Sequence, residues 1–181
     1  MKRLIVIGAI MLMVAGMVSV ARAGSSDTMT LTVSVTAALD VTIYATDYDF
    51  GSVALNSTTI STTSTAVRNT SSNAVETYQL KVSPGASGWT IAASTGGVDN
   101  VRIQAIWNTT QPASVADDTA HNLDAAGKTC DGANFAGNEA RNGDSVNVNV
   151  QELLWFKLWT PQQSTSEGQK KFYLTITASL G

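Results

Sequence analysis

Residues 29 to 45 alternate between apolar and polar side chains with a period of two. The apolar positions are Met29, Leu31, Val33, Val35, Ala37, Leu39, Val41, Ile43 and Ala45. Alternation of this kind is typical of a β-strand with one buried face. At about 3.3 Å per residue the segment would extend beyond roughly 50 Å, which is longer than an ordinary strand. It must therefore bend, pass between two sheets or leave the domain.

The rest of the chain predicts further short strands that are separated by turn residues. The expected strands are Phe50–Leu55, Ile60–Val67, Thr77–Val82, Trp89–Ala92, Val101–Trp107, Val146–Val150, Leu153–Thr160 and Phe172–Ser179. After residue 23, apolar residues do not recur at helical spacing over several turns. We therefore expect an all-β chain that folds as an antiparallel two-sheet β-sandwich.

The first 23 residues have the pattern of a secretory signal peptide. Lys2 and Arg3 form a cationic start, an apolar run follows over Leu4–Val20, and Ala21 and Ala23 supply the small residues of a cleavage site. A membrane anchor is the alternative, because a span needs about 20 apolar residues. We expect residues 1–23 to be removed and residues 24–181 to form one secreted domain. No membrane insertion is expected after cleavage.

Charge argues against a nucleic-acid partner, and composition favours an extracellular domain. Removal of Lys2, Arg3 and Arg22 leaves eight basic residues against 14 acidic ones, a formal charge of −6. An acidic surface repels phosphate backbones, so we expect no nucleic-acid partner. A low charged fraction of 14% with many Thr and Ser residues is typical of extracellular β domains.

The chemically reactive side chains form no recognisable catalytic motif. Cys130 is the single cysteine and His121 the single histidine. Cys130 could be a buried small hydrophobe, a thiol that pairs with a second chain, or a nucleophile that uses His121 as its base. A long polar loop at about residues 108–145 holds several acids, but their spacing matches no calcium-loop pattern. We expect no enzyme activity, no metal and no cofactor.

Three tryptophans are candidates for a ligand platform. Trp107, Trp155 and Trp159 could bind a sugar ring through their aromatic faces. The alternative is that they are core residues, because large aromatic side chains dominate the cores of small β domains. If the rings do form a platform, the chain would be a secreted module that binds a carbohydrate or a cell wall, which is the alternative function.

Three segments resemble a known group of domains. Residues 33–43, the run Tyr48-Asp49-Phe50-Gly51-Ser52-Val53 and the final strand Phe172–Ala178 resemble bacterial secreted pilin-like and spore-coat-protein-U-like domains. The resemblance implies an immunoglobulin-like (Ig-like) or pilin-like β-sandwich. It also implies a bacterial location that is cell-surface, extracellular or periplasmic, and assembly into surface fibres in which one subunit lends a strand to the next.

The leading expectation is a secreted structural protein that forms a fibre, a pilus-like filament or a surface layer. An arm around residues 28–36 would pair with an exposed sheet edge of the next subunit. Its apolar side chains would fill pockets in that subunit; these are Met29, Leu31, Val33 and Val35. The partner is a second copy or another surface protein, and in the alternative function it is a polysaccharide. The arm could instead be the first strand of its own sandwich.

Overall fold

A computed structural model describes residues 29–30, 32–34, 36–45, 47–85, 88–137 and 141–181. The chain divides into two compact units, Met1–Val35 and Thr36–Gly181, and every strand below belongs to the second. The predicted signal peptide lies outside the described residues, as do Leu31 and Val35.

The second unit is all-β. Its strands are β1 (Val41–Ile43), β2 (Thr58–Ile60), β3 (Thr65–Asn69), β4 (Glu76–Pro84), β5 (Thr90–Ile91), β6 (Asn100–Trp107), β7 (Lys128–Thr129), β8 (Gln151–Trp159) and β9 (Phe172–Leu180). The described part of the chain contains no α-helix. It follows that, within this part, no helix is long and apolar enough to cross a membrane.

The larger sheet has β8 at its centre. Its order is β1-β3-β8-β6-β5, and β2 also pairs with β8. Every residue of β8 after Gln151 and Glu152 is apolar except Lys157. A strand that is apolar on both faces must be covered on both faces, which explains its central position.

The smaller sheet has the order β7-β4-β9. Strands β4 and β9 pair antiparallel over their whole length, from Glu76 opposite Leu180 to Pro84 opposite Phe172. The outward side chains of both strands are polar apart from Tyr173, and most are exposed, although Thr77 is buried and Ser83 is half-buried. This one-sided burial is the usual arrangement of an antiparallel sheet with one solvated face.

The inner faces of the two sheets share one core. The larger sheet contributes buried residues from β3, β6 and β8, including Trp107, and the smaller sheet contributes Tyr78, Leu80, Val82 and Ile176. The two-sheet, sandwich-like architecture expected from the sequence is therefore present.

Several details differ from the sequence prediction. The stretch Phe50–Leu55 is not a strand, and Val146–Val150 is reduced to one bridge from Val146 to Glu76. Positive φ angles interrupt both stretches, at 70° for Gly51 and 62° for Asn149, and an extended strand cannot continue through such residues.

Pairing and strand length also differ. The expected strand Ile60–Val67 is split into β2 and β3. Among its described residues, the long alternating segment forms a strand only over Val41–Ile43. Strands β5 and β6 pair in parallel, which the expected antiparallel sheets did not include. The 108–145 loop contains β7 and contributes buried side chains, among them Leu123 and Phe135.

We predict that Gly143→Ala strongly destabilises the fold. Gly143 has a φ of +74°, and an added Cβ would lie 2.5 Å from Trp107 Nε1 and 2.8 Å from Cys130 Sγ. Strain and overpacking together should lower the free energy of unfolding by about 2–4 kcal/mol. Denaturant unfolding measures this. Gly51→Ala is the matched control, with φ +70° and open space around it, and it should cost about 1 kcal/mol. Equal losses in the two variants would contradict the packing explanation.

Candidate functional site

The free side of β9 is the longest unpaired edge among the described strands. Strand β9 pairs with β4 and has no second strand partner among the described residues. Its nine residues include no charged residue, no proline and no glycine. Monomeric proteins usually protect such an edge with lysine, proline or a bulge. We call this free side of Phe172–Leu180 the acceptor edge.

The flanking hydrogen bonds show which backbone groups face the acceptor edge. Gly85 N donates to Lys171 O at 2.8 Å, and Gly181 N donates to Val75 O at 3.0 Å. Hydrogen-bonded pairs alternate along an antiparallel sheet, so odd-numbered residues of β9 bond to β4. The N–H and C=O groups of even-numbered residues, from Phe172 to Leu180, therefore point toward the free side.

The core is incompletely covered along the acceptor edge. The even-numbered residues of β9 also face the core. Of these, Ile176 is buried, Phe172, Leu174 and Ala178 are half-buried, and Leu180 is 64% exposed. In the larger sheet, the edge strand β1 contacts β9 and has only half-buried residues. The apolar side chains along the edge between β1 and β9 are therefore only partly covered, and we call this strip the apolar gap.

The predicted arm residues are only partly within the described chain. Met29 is 78% exposed and Val33 is 83% exposed. Leu31 and Val35 lie outside the described residues. Apolar side chains as exposed as Met29 and Val33 are available to a partner.

The three candidate tryptophans do not form one surface. Trp107 is fully buried on the inner face, where its Nε1 donates to Cys130 Sγ at 3.3 Å. Trp155 and Trp159 lie on the outer face of the same sheet, because side chains alternate along β8. Trp155 is also buried, and its Nε1 donates to Asn108 O at 2.9 Å. A shared platform of these three rings is therefore not formed.

Residues 108–118 lie over the outer face of the larger sheet, where Val115 packs against Ile106 and Trp155, and we call this segment the outer layer. Buried polar side chains of the sheet bind its main-chain carbonyl groups. Lys157 Nζ donates to Val115 O at 2.8 Å, and Arg102 Nη2 donates to Asp118 O at 2.6 Å. Gln104 Nε2 donates to Ala116 O at 3.0 Å and to Asp118 O at 2.9 Å. The sheet thus holds the outer layer through its carbonyl groups.

Two cations share the ring of Trp159. Lys157 Nζ lies 4.4 Å and Arg102 Cζ 5.3 Å from the ring centroid. Arg102 also forms an ion pair with Asp117. Burial lowers the pKa of Lys157, while the nearby Asp117 opposes that shift. The exposed part of Trp159 is therefore flanked by positive charge.

A cavity of about 260 Å³ lies within this region, lined in part by Ile106, Pro112 and His121. His121 Nδ1 lies 2.7 Å from Asp118 Oδ1, and its Nε2 lies 3.1 Å from Ala136 O. A carboxylate and a carbonyl are both acceptors, so both contacts are hydrogen bonds only when the ring is an imidazolium. Burial raises the pKa of Asp118, but the hydrogen bonds and charge of His121 outweigh it and the net shift is downward.

The acids of the long loop mostly bind local groups. Asp124 Oδ1 accepts from Gly127 N, Asp131 Oδ1 accepts from Ala133 N, and Asp144 Oδ1 accepts from Thr77 Oγ1. Glu139 lies outside the described residues. Within the described ranges, no three His, Cys, Asp or Glu side chains are grouped as metal ligands would be.

Titratable groups are also buried within the core. Burial raises the pKa of Cys130 to about 12, so its sulfur is a thiol at neutral pH. Burial is the main cause of raised pKa values at Glu76, Tyr78 and Glu152. Glu152 Oε2 accepts from Gly143 N at 2.8 Å, whereas Glu76 Oε2 and the Tyr78 hydroxyl are buried and have no hydrogen-bond partner among the described residues. The buried position of Cys130 agrees with the first of its three interpretations.

Comparisons with known proteins add no relative. No protein-family model matches the chain. No curated protein matches its sequence either. The resemblance to pilin-like domains therefore stays a prediction from the sequence.

The sequence contained signals for two features that its interpretation missed. The uncharged run of β9 was assigned as a strand but not as an unprotected edge. Lys157 is the one charged residue in an otherwise apolar stretch from 153 to 159, which indicates a buried cation with a specific acceptor. Arg102 left the same signal as Lys157, because it is the one charged residue of the buried strand β6.

We predict that Arg102→Lys loosens the outer layer. Arg102 donates to Asn122 Oδ1, Asp117 Oδ1 and Asp118 O from different guanidinium nitrogens, and a lysine ammonium cannot reproduce that geometry. Loss of buried charge-assisted bonds should cost about 2–3 kcal/mol, and amide hydrogen exchange should accelerate across residues 115–122. Arg141→Lys, at an exposed arginine whose Nη1 donates to Gln151 O, is the control. Unchanged exchange in Arg102→Lys would contradict the role of the guanidinium.

A second prediction concerns pH. Burial raises the pKa of Glu152 above its ordinary value of 4.5 in the folded chain. The contribution of the neutral Glu152 carboxyl to the free energy of unfolding is therefore fully present below about pH 4.5, and it is lost as pH rises through the folded pKa. Glu152→Gln should raise the thermal midpoint relative to wild type at pH 8 and leave it unchanged at pH 4. Glu167→Gln, at an exposed carboxylate, should show no such difference. An equal effect of Glu152→Gln at both pH values would refute the assignment.

Proposed function

We propose that this chain is a secreted structural protein whose copies assemble on the bacterial cell surface by β-strand addition. The arm around residues 28–36 of one copy pairs with the acceptor edge of the next. The proposal includes an Ig-like or pilin-like identity for the two-sheet domain and removal of a signal peptide before residue 24.

The acceptor edge is the observation that carries this proposal. The five even-numbered residues of β9 present backbone groups on its free side, and none of the strand's nine residues is a charged residue or a proline that would block a new strand. An added strand satisfies such groups, and main-chain hydrogen bonds supply much of the affinity in strand addition.

The apolar gap supports the same function. Leu180 is 64% exposed, and the core-facing residues Phe172, Leu174 and Ala178 are half-buried. An added strand with apolar residues at every second position would cover them. The arm has this pattern at Met29, Leu31, Val33 and Val35, so its period matches what the gap requires.

We predict that Ala178→Pro abolishes assembly and leaves the domain folded. Residue 178 directs its N–H toward the free side, so proline there removes a group needed by the added strand and keeps every bond to β4. Thr177→Pro is the matched control, because residue 177 bonds to β4 and its proline variant should destabilise the domain itself. Light scattering after size-exclusion chromatography measures assembly, and thermal unfolding measures the fold.

The arm is tested by Val33→Asp in the chain secreted from the full-length sequence. A charge at residue 33 cannot enter an apolar gap, so polymers should be lost while the thermal midpoint is kept. Intact polymers in either Val33→Asp or Ala178→Pro would overturn the proposal. A Val33→Asp variant that fails to fold would instead assign the alternating segment to its own domain.

A further inference from the structure

We propose that the acceptor edge also binds the acceptor edge of a second copy, which forms a two-fold dimer of β9 strands centred on Ile176. The inference rests on the proposed function, because it names what protects this edge before an arm is added. The smaller sheets of the two copies would then form one continuous sheet.

The first argument is the position of the free backbone groups. These groups lie at even-numbered residues, and Ile176 is the middle residue of Phe172–Leu180. In an antiparallel pair centred there, each even-numbered residue faces another even-numbered residue. Phe172 lies opposite Leu180 of the second copy, Leu174 opposite Ala178, and Ile176 opposite Ile176. Every facing pair can therefore exchange both of its backbone hydrogen bonds.

The second argument is the match between the core-facing side chains. Leu180 is 64% exposed in the single chain, and Phe172 is half-buried. The two-fold register brings these residues together at both ends of the strand pair. At the next positions inward, Leu174 faces the small side chain of Ala178, so two large side chains do not compete for the same space. Apolar surface that one chain leaves open is covered by the other.

The third argument comes from the opposite face of β9. There Thr175 of one copy faces Thr177 of the other, and Tyr173, 59% exposed, faces Ser179. Cross-strand pairs of threonines stabilise antiparallel sheets, whereas like charges directly opposite destabilise them. Because β9 has no charge, a strand that meets its own copy brings no like charges together.

This dimer and the added arm use the same backbone groups, so they exclude each other. A chain whose edge is closed by a second copy cannot accept an arm. The dimer therefore keeps the edge from unspecific pairing, and assembly begins when an arm displaces the second β9 strand.

The test uses the full secreted chain with Val33→Asp, which removes the arm from competition. We expect this variant to form a dimer at micromolar concentration in light scattering and to dissociate on dilution. Adding Ala178→Pro should give a monomer whose thermal midpoint equals that of the Val33→Asp chain diluted until its dimer has dissociated. If Val33→Asp impairs folding, Met29→Asp takes its place.

The register is tested by a spin label at Ser179→Cys in the same background. Residue 179 lies three positions beyond the axis in each copy, so the two Cα atoms should be about 20 Å apart. Cys130 is 1% exposed, and the unsubstituted chain controls for its labelling.

The outcomes separate this inference from the proposed function. A monomeric Val33→Asp chain at every concentration, a dimer that survives Ala178→Pro, or a label distance far from about 20 Å would overturn the β9 dimer. A wild-type chain that forms this dimer and never polymerises would overturn the proposed strand addition and support the β9 dimer.

Discussion

The central strand β8 must be covered on both of its faces, and the rest of the structure depends on this constraint. It is apolar on both sides over most of its length, and exposing either side to water would cost more than a small domain's stability allows. The smaller sheet covers the inner face. The outer layer covers the other, so a polypeptide segment without regular secondary structure replaces a third sheet. Such a segment has main-chain carbonyl groups that need donors. Lys157, Arg102 and Gln104 supply them from the sheet.

The charges under the outer layer therefore have a structural explanation. A buried cation without acceptors is strongly unfavourable, and a buried carbonyl without a donor is unfavourable as well. Placing Lys157 against Val115 O resolves both costs with one contact. The same reasoning explains why the Trp155 indole is buried and bound to Asn108 O rather than presented to a ligand. Aromatic residues on this face belong to packing between sheet and outer layer, which weakens the case for a carbohydrate platform.

Much of the fold was predictable from local sequence patterns. The strands β4, β6, β8 and β9 match their expected ranges to within two residues at each end, because alternation and buried apolar runs fix which side chains face the core. Positive φ angles at Ser145 and Asn149 were not predictable, since neither residue type requires them, and they remove an expected strand. The uncharged run of β9 is visible in the sequence, but its position at the edge of a sheet is not. Whether a strand is central or at an edge depends on which distant strands pair with it, and a local pattern does not record this.

The pairing of β4 with β9 has a consequence for the order of folding. Glu76 lies opposite Leu180 and Pro84 opposite Phe172, so each rung closes a loop of roughly 90 to 100 residues, and such closures are entropically slow. The larger sheet contains nearer pairs, such as β1 with β3, which can form earlier. During folding β9 therefore remains unpaired until it meets β4, and both edges of its uncharged, β-prone sequence stay exposed. The folding protein should be most prone to aggregation at this stage. Secretion conditions that shorten the time before β9 pairs with β4 should improve its yield.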